Sequence, residues 1–300
     1  MPSRDNSQSM PPSLLTRGRH HDFHDGPLIM GIVNINDDSF SRDGRIDPAW
    51  ALRRAVQLRE EGAHIIDIGA ESARTNRPAI SEDEEIGRLL PVVGHFVRTF
   101  GGHSNPPLLS INTWRPAVAE AVLPSGGDIL NDMGGLPDDR NARLCSVHGA
   151  ALLIMHTIGM PKVSHAHVSY PDVMETLDTF FEEKIALACA AGLSRSALIL
   201  DPGIDFAKQV ADNLTIYGHL ARLHRFNLPI LLPISRKSVI GGVLGIRDPV
   251  ERDHGTAACL VSGMLRGAAI FRVHNVVMAR QTIATVKAVM GGSRWMKANC

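Results

Sequence analysis

The feature that most constrains the fold is an alternation of short apolar runs with longer segments of helical character, which repeats eight times along the chain. The runs lie at 28–33, 64–68, 108–111, 128–130, 150–155, 197–200, 230–234 and 268–273. Short apolar runs bounded by turn-forming or polar residues are typical of buried strands. Eight strand-helix repeats over about 260 residues predict an α/β chain folded as a (β/α)8 TIM barrel, with a doubly wound open sheet as the alternative.

Helices are predicted between the runs, at 48–61, 82–100, 115–123, 139–147, 173–191, 213–226, 249–266 and 277–290. Two of them carry clear start signals. Asp47 precedes Pro48 as an N-cap, and Ser81 stands three residues before Glu84, which is the spacing of a capping box.

The two ends of the chain are polar and lack apolar periodicity. Residues 1–26 are rich in serine, proline, arginine and histidine, so we expect a disordered leader. We expect residues 27–291 to form the barrel and residues 292–300 to form an unstructured tail.

The equal numbers of basic and acidic residues argue against two classes of partner, nucleic acids and anionic membranes. Lys plus Arg and Asp plus Glu each total 31, so no net field draws the chain to nucleic acid or to an anionic membrane. The four cysteines form no C-x-x-C pair, which favours a reducing compartment and gives no metal-site spacing. No apolar run approaches the roughly 18 residues of a membrane span. We therefore expect a cytoplasmic protein that acts on small molecules.

Polar side chains stand at or just past the end of every predicted strand. Active sites of (β/α)8 barrels lie at the carboxyl ends of the strands, so residues at these positions are site candidates. They are Asn34, Asp67, Asn112, Asn131, Asp201, Ser235, Arg236, Lys237, Arg272 and His274, with Met155 and the polar His156 at the end of the fifth strand and Arg74 and Ser238 in the loops that follow. One such polar residue is usually a cap or a buried anchor. Polar residues on all eight strands favour a shared site, because each would otherwise be a costly group near the core.

The candidates divide by charge. Those that can exchange hydrogen bonds with a flat heterocycle are Asp67, Asn112, Asn131 and Asp201. Those that can hold an anion are Arg74, Lys237, Arg272 and His274. A ligand with a polar bicyclic head and a phosphorylated arm would use both groups.

Seven motifs, taken in order, resemble the dihydropteroate synthase family. They are G-I-V-N-I-N-D-D-S-F-S from Gly31, I-I-D-I-G-A-E-S-A-R from Ile65, S-I-N-T from Ser110, L-N-D from Leu130, D-P-G-I-D-F from Asp201, S-R-K-S from Ser235 and R-V-H from Arg272. Each motif alone is weak, whereas seven in order at positions consistent with a barrel are specific. The resemblance covers about residues 28–290.

The resemblance implies a reaction and its partners. The family condenses 6-hydroxymethyl-7,8-dihydropterin pyrophosphate with 4-aminobenzoate, which gives 7,8-dihydropteroate and pyrophosphate in folate biosynthesis. It implies a transferase that uses Mg2+ and forms a homodimer.

The resemblance also implies roles for individual residues. Asn34 would help to hold Mg2+ on the pyrophosphate, which Arg74, Arg272 and His274 would bind. Lys237, Asp201 and Asn112 are the expected catalytic residues at the pterin, with Asn131 beside them. Phe206 and Ser238 would line the 4-aminobenzoate pocket.

Departures from the family pattern keep alternatives open. Asn36-Asp37 replaces Thr-Pro, Ala73 and Thr75 replace Thr and Pro in one loop motif, Asn112 replaces Asp, and Asp205 replaces Gly; Pro233 also replaces a small residue before the cationic cluster. The altered loops suggest reduced sensitivity to sulfonamides. The lost charge at Asn112 leaves a non-catalytic pterin-binding paralogue as a second hypothesis. A methyltetrahydrofolate-type methyltransferase is a third, which the Ser-Arg-Lys-Ser cluster disfavours because a methyl donor has no pyrophosphate.

Overall fold

The computed structural model describes residues 13–36, 44–72, 78–163 and 167–291. The strands are β1 (Leu14–Thr16), β2 (Arg19–His21), β3 (Leu28–Asn34), β4 (Ile65–Gly69), β5 (Leu108–Asn112), β6 (Ile129–Asp132), β7 (Ala151–Met155), β8 (Leu198–Asp201), β9 (Leu231–Pro233) and β10 (Ile270–Val273). The α-helices are α1 (Pro48–Glu61), α2 (Glu82–Phe100), α3 (Pro116–Val122), α4 (Arg140–His148), α5 (Val173–Ala190), α6 (Val210–His219), α7 (Ser238–Leu244), α8 (Asp253–Met264) and α9 (Val276–Gly291).

Strands β3 to β10 form one parallel sheet that curls into a barrel. Their order is β8-β7-β6-β5-β4-β3-β10-β9, and a bridge between Leu200 and Ile230 joins the two ends. Helices connect successive strands, which confirms the (β/α)8 architecture predicted from the alternating pattern. Each strand of the sheet is almost wholly buried, as expected when helices cover the outside and side chains fill the inside.

The strand register places polar side chains in one layer at the carboxyl end of the barrel. Asn34 pairs with Gly69, Gly69 with Asn112, and Asn112 with Asn131. Because the strands are parallel, this layer lies at a single rim, and residues that are far apart in sequence converge there.

The segment before β3 corrects one expectation. Residues 13–26 were expected to belong to a disordered leader, but β1 and β2 form an antiparallel hairpin in which Leu14 is fully buried and Phe23 is 1% exposed. The backbone N–H of Arg17 donates to the Gly149 carbonyl (2.6 Å), and its guanidinium donates to the carbonyls of Gly127 (2.9 Å) and Leu123 (3.0 Å). These acceptors precede β6 and β7, so the hairpin covers the end of the barrel opposite the polar layer. Residues 1–12 and 292–300 lie outside the described residues.

The predicted helices are confirmed with changes at their ends, and one short helix was missed. Segment 213–226 divides into α6, which begins earlier, and the 3-10 helix Leu220–Phe226; segment 249–266 begins with the 3-10 turn Pro249–Arg252. The missed helix is α7, whose paired glycines have low helix propensity. Gly241 is needed there, since a Cβ would lie 2.6 Å from the guanidinium of Arg252. That guanidinium donates to the carbonyls of Arg236 (3.0 Å) and Lys237 (3.3 Å), so it fixes the chain that enters α7.

Candidate active site

The carboxyl end of the barrel holds a cavity of about 530 Å³ that gathers most of the predicted site residues. Those that line it are Asn34, Asn112, Asn131, Met155, Asp201, Phe206, Ser235, Lys237, Ser238, Arg272 and His274. Arg74 lies outside the described residues, as do the loop positions Asp37 and Ala73. Asp67 and Arg236 do not line the cavity, and each is a correction to the prediction.

Asp67 lies beneath the cavity floor and is fully buried. Its carboxylate accepts hydrogen bonds from Ser110 Oγ (2.5 Å), Asn112 Nδ2 (3.3 Å), Asn131 Nδ2 (3.2 Å) and Arg272 Nε (2.8 Å). Arg272 Nη2 also lies 2.8 Å from Oδ2, the oxygen that accepts from Nε, so two nitrogens of the guanidinium pair with one carboxylate oxygen. Asp67 does not line the cavity, and four side chains already donate to its carboxylate. Asp67 is therefore a positioning residue that orients Asn112, Asn131 and Arg272, rather than the predicted substrate contact.

Arg236 points away from the cavity because its backbone adopts a φ of 60°. Its guanidinium donates to both oxygens of Asp253, from Nε at 2.9 Å and from Nη2 at 3.2 Å. The side chains of the neighbouring cations Arg236 and Lys237 therefore lie on different sides of the chain. Lys237 lines the cavity, whereas Arg236, a predicted site residue, does not.

Asp201 provides the carboxylate of the cavity. It is 4% exposed, and its Oδ1 accepts from the backbone N–H of Gly203 at 2.7 Å. Burial raises the pKa of Asp201 to about 6, while the nearby charges of Lys237, Lys208 and Arg272 oppose the rise. The group is therefore ionised at neutral pH and can accept neighbouring N–H donors of a heterocycle.

Lys237 lies between the carboxylate and an aromatic ring. Its Nζ donates to the carbonyl of Ile204 (2.9 Å) and lies 4.8 Å from the centroid of the Phe206 ring, which is a cation–π contact. Burial lowers the pKa of Lys237, and the carboxylates of Asp205 and Asp201 oppose that shift. The ammonium is held rigidly, with Phe206 as part of its wall.

Arg272, His274 and Ser235 form a cationic and hydroxyl-bearing side of the cavity. Ser235 Oγ accepts from the backbone N–H of His274 (3.2 Å) and lies 2.8 Å from His274 Nδ1. Arg54 Nη2 donates to the His274 carbonyl at 3.1 Å, so backbone and ring are both fixed. This side is preorganised for an anion with several oxygens.

Asn112 presents an acceptor to the cavity. Its Nδ2 donates to Asp67, whereas its Oδ1 is buried and has no hydrogen-bond partner among the described residues. A buried acceptor without a partner costs free energy unless a ligand or water satisfies it. The oxygen therefore marks a place where a ligand N–H fits.

Charged residues of the cavity wall that the sequence analysis did not name include Lys208, Glu71 and Lys162. Lys208 Nζ donates to the carbonyls of Gly203 and Phe206 (both 3.0 Å) and lies 2.8 Å from His156 Nδ1. Burial lowers the pKa of His156 to about 3 and that of Lys208 to about 7, so a neutral imidazole faces the lysine. Gly203 has a φ of 69°, and a Cβ there would lie 2.0 Å from the His156 carbonyl oxygen. Lys208 thus clamps the loop that carries Phe206.

Glu71 ties together two loops at the cavity wall. Its side chain is 2% exposed and forms ion pairs with Arg115 (2.7 Å) and Lys162 (3.3 Å). Lys162 belongs to the loop after β7, whereas Glu71 follows β4. The G-A-E-S motif contained the signal for Glu71, and the D-P-G-I-D-F motif stopped two residues short of Lys208.

The described side chains of the cavity suit a Mg2+ ion that arrives bound to a phosphorylated ligand. They suit less well a metal held by protein side chains alone. Among the described residues no group of three His, Cys, Asp or Glu side chains could hold a metal. Asn34 lines the cavity, and Asn36, which also lines it, has a buried Oδ1 without a hydrogen-bond partner in the described ranges. Mg2+ commonly takes one or two protein oxygens and completes its shell with phosphate and water.

Comparison with known proteins gives a consistent result. The family described as "Pterin binding enzyme" matches residues 30–274. The dihydropteroate synthase of Escherichia coli strain K12 is 35% identical over 265 residues, which is 88% of this chain and 92% of the relative. The Yersinia pestis dihydropteroate synthase in complex with a sulfonamide drug superposes with a TM-score of 0.85 at 35% identity, over 93% of this chain and 99% of that one. The Xanthomonas albilineans enzyme with 4-aminobenzoic acid gives a TM-score of 0.84 at 31% identity, over 94% and 100%.

Proposed function

The chain belongs to the dihydropteroate synthase family of pterin-binding enzymes, and on that premise we propose how its residues act. The reaction joins 6-hydroxymethyl-7,8-dihydropterin pyrophosphate to 4-aminobenzoate and releases pyrophosphate. The observation that carries the assignment of roles is a single cavity lined both by Asp201, Asn112 and Asn131 and by Arg272, His274 and Ser235. A pterin ring and a diphosphate need these two kinds of neighbours at once.

The pterin occupies the buried end of the cavity. Asp201 accepts neighbouring N–H donors of the ring, and the Oδ1 of Asn112 accepts another. Asn131 is held by Asp67 in the same layer and borders the same ring. Met155, which is 1% exposed, supplies an apolar contact for the ring.

The reaction proceeds by heterolysis of the C–O bond. The bonding electrons leave with pyrophosphate, and a delocalised cation remains on the pterin methylene group. The carboxylate of Asp201 stabilises that cation, while Arg272, His274 and Lys237 stabilise the charge on the leaving group. The amine nitrogen of 4-aminobenzoate then forms the C–N bond and loses a proton to solvent.

Asn34 would hold Mg2+ on the pyrophosphate, with Asn36 as a further oxygen donor. Bound there, the ion would neutralise part of the leaving group's charge. Removal of Mg2+ with EDTA is the direct check on this assignment, with binding of the pterin pyrophosphate by calorimetry as the readout.

The test of the function is product formation. The purified chain, given pterin pyrophosphate and 4-aminobenzoate with Mg2+, is expected to release one pyrophosphate for each dihydropteroate. Binding of the pterin pyrophosphate without release would instead identify a non-catalytic pterin-binding protein.

Replacing Asn112 with aspartate is expected to raise kcat about tenfold. A carboxylate at this position adds negative charge beside the cation, where Asn112 supplies only a dipole, and one tenfold step corresponds to about 1.4 kcal/mol of barrier. The variant's kcat with saturating 4-aminobenzoate checks this. Asn112→Leu, which has similar volume and no acceptor, is the matched control and should lower kcat. A fall with both variants would contradict the proposed role of the charge.

We further propose that the chain forms a homodimer. Exposed apolar side chains cluster on α6, on α7 and at the turn before α8, where Leu214, Val243, Leu244 and Val250 are each 47–57% exposed. Leu260 of α8 and Ile283 of α9 are buried in the barrel wall and do not belong to this face. Sedimentation of the wild type and of Val243→Lys is expected to give a dimer and a monomer, respectively.

We also propose a cytoplasmic location and reduced sulfonamide sensitivity. The described cysteines Cys145, Cys189 and Cys259 are free thiols, as a reducing compartment favours. No helix in the described ranges is both long and apolar enough to cross a membrane. The sulfonamide proposal is supported by Asn36 at the cavity wall, and inhibition of product formation at 4-aminobenzoate concentrations near KM measures it.

A further inference from the structure

Asp205 is a carboxylate of the cavity wall that the proposed reaction does not use. It stands where the resemblance leads one to expect glycine, and it adopts a φ of 68°, a left-handed conformation that costs most side chains about 1 kcal/mol. A charged side chain kept at such a position is held there by compensating contacts.

The contacts of Asp205 are numerous and fix its carboxylate. The backbone N–H groups of Ser238 and Val239 donate to it, the latter at 3.1 Å. Asn213 Nδ2 donates to the same carboxylate at 3.3 Å, and the Asp205 backbone N–H donates to Asn213 Oδ1 at 2.8 Å. With both oxygens engaged, the negative charge cannot swing away when a ligand enters.

The position of that charge is at the outer end of the cavity. Asp201, Asn112 and Asn131 at the pterin end are 2–4% exposed. Asp205 and its neighbours Phe206 and Ser238 are more exposed and line the same cavity. An aromatic amine that approaches a pterin held at the buried end must come in from this side, and its ring would lie near Phe206.

We propose that Asp205 is a specificity-determining residue that discriminates acceptors by charge, disfavouring anionic aromatic amines relative to neutral ones. The inference rests on the proposed function, since it concerns the second substrate of that reaction. Lys237 and the two N–H groups offset part of the carboxylate charge, so the discrimination is moderate. A fixed negative charge repels a carboxylate-bearing acceptor and leaves an amide-bearing one unaffected.

The experiment compares two acceptors of the same shape and different charge, 4-aminobenzoate and 4-aminobenzamide, with the full-length chain. In Asp205→Asn the ratio of kcat/KM for benzoate to that for benzamide is expected to rise about twofold to fivefold, the size of a partly screened charge interaction. Asparagine tolerates a positive φ and keeps one acceptor oxygen, so the loop is retained. Asp205→Gly, which relieves the backbone conformation and removes the side chain, should shift the ratio in the same direction.

Asp172→Asn is the matched control. Asp172 also accepts from two N–H groups at a helix start, those of Met174 (2.8 Å) and Glu175 (3.0 Å), but it does not line the cavity. Its acceptor ratio should equal that of the wild type. An unchanged ratio in both Asp205 variants, with turnover intact, overturns this inference and leaves the proposed function standing. Failure of the wild type to turn over either acceptor overturns the proposed function, and this inference with it.

Discussion

Replacing Asp201 with asparagine is expected to reduce kcat/KM by about 10²-fold to 10³-fold and to leave the protein at least as stable as the wild type at pH 7.5. The loss of activity follows because an amide keeps the hydrogen bond from Gly203 but lacks the charge that stabilises the pterin cation. The stability follows because asparagine needs no burial of charge. A residue kept only for structure would not behave in this way.

The pH dependence of the wild type follows from the same group. The pKa of Asp201 is raised from its ordinary value of 3.8 to about 6 by burial, so the folded state binds more protons than the unfolded state between these values. The contribution of Asp201 to stability is therefore lost as pH rises from about 4 to about 6, by about 3 kcal/mol. Activity has the opposite dependence, because only the carboxylate stabilises the cation. Below about pH 6, kcat/KM should fall about tenfold per pH unit.

Two measurements check the Asp201 prediction together. Urea unfolding at pH 5 and at pH 7.5 should show that the stability difference between variant and wild type grows at the higher pH. The pH profile of kcat/KM should lose its acidic limb near pH 6 in the variant. A variant that unfolds more easily than the wild type at pH 7.5 would contradict the argument, as would one that keeps the limb.

Replacing Arg272 with methionine is expected to lower both stability and activity. Asp67 would be left as a buried carboxylate without its ion pair, which typically costs 3–5 kcal/mol. The leaving pyrophosphate would also lose one of the cations that stabilise it, which is expected to lower kcat/KM by about 10²-fold to 10³-fold. The free energy of unfolding and steady-state kinetics measure the two losses separately.

A double variant separates the two roles of Arg272. Adding Asp67→Asn to Arg272→Met removes the uncompensated charge, so most of the lost stability should return while the activity stays low. Arg19→Met is the control, because it breaks an exposed ion pair with Asp128 (3.3 Å) at the other end of the barrel and should change neither property much. Recovery of activity in the double variant would show that Arg272 serves only to neutralise Asp67.

The barrel was predictable from the sequence because its strands are buried on both faces. Their apolar runs carry the signal, and helix caps such as Asp47 and Ser81 mark the boundaries, where their side chains accept from Ala49 N and Glu84 N. The β1–β2 hairpin was missed because it lies in a polar segment with few apolar residues, and β1 packs against β7 and the turn Arg195–Ala197, which lie more than a hundred residues away. Helix α7 was missed because it is short and rich in glycine.

The cavity was predictable as a set of positions but not as a set of roles. Parallel strands bring their carboxyl ends to one rim, so residues at strand ends converge whatever their identity. Whether a side chain faces the ligand or lies beneath it depends on a shift of two residues along the strand, from Gly69 at the rim to Asp67 one layer below, and alternation gives both positions the same inner face. Arg236 lies outside the cavity, where it pairs with Asp253. No local sequence pattern predicts the positive φ of its backbone. Lys208 was missed because its three acceptors come together only when the loop after β8 folds.

The hydrogen bonds that Asp67 accepts from four side chains also limit which mutations the site tolerates during evolution. One carboxylate beneath the floor holds side chains from β5, β6 and β10, so a single replacement among them disturbs the others before any replacement can compensate. Replacements at the outer wall disturb fewer contacts of this network, and Asp205 there stands where the resemblance leads one to expect glycine. An inhibitor anchored on Asn131 and Arg272 would therefore meet positions from which escape by one mutation is costly.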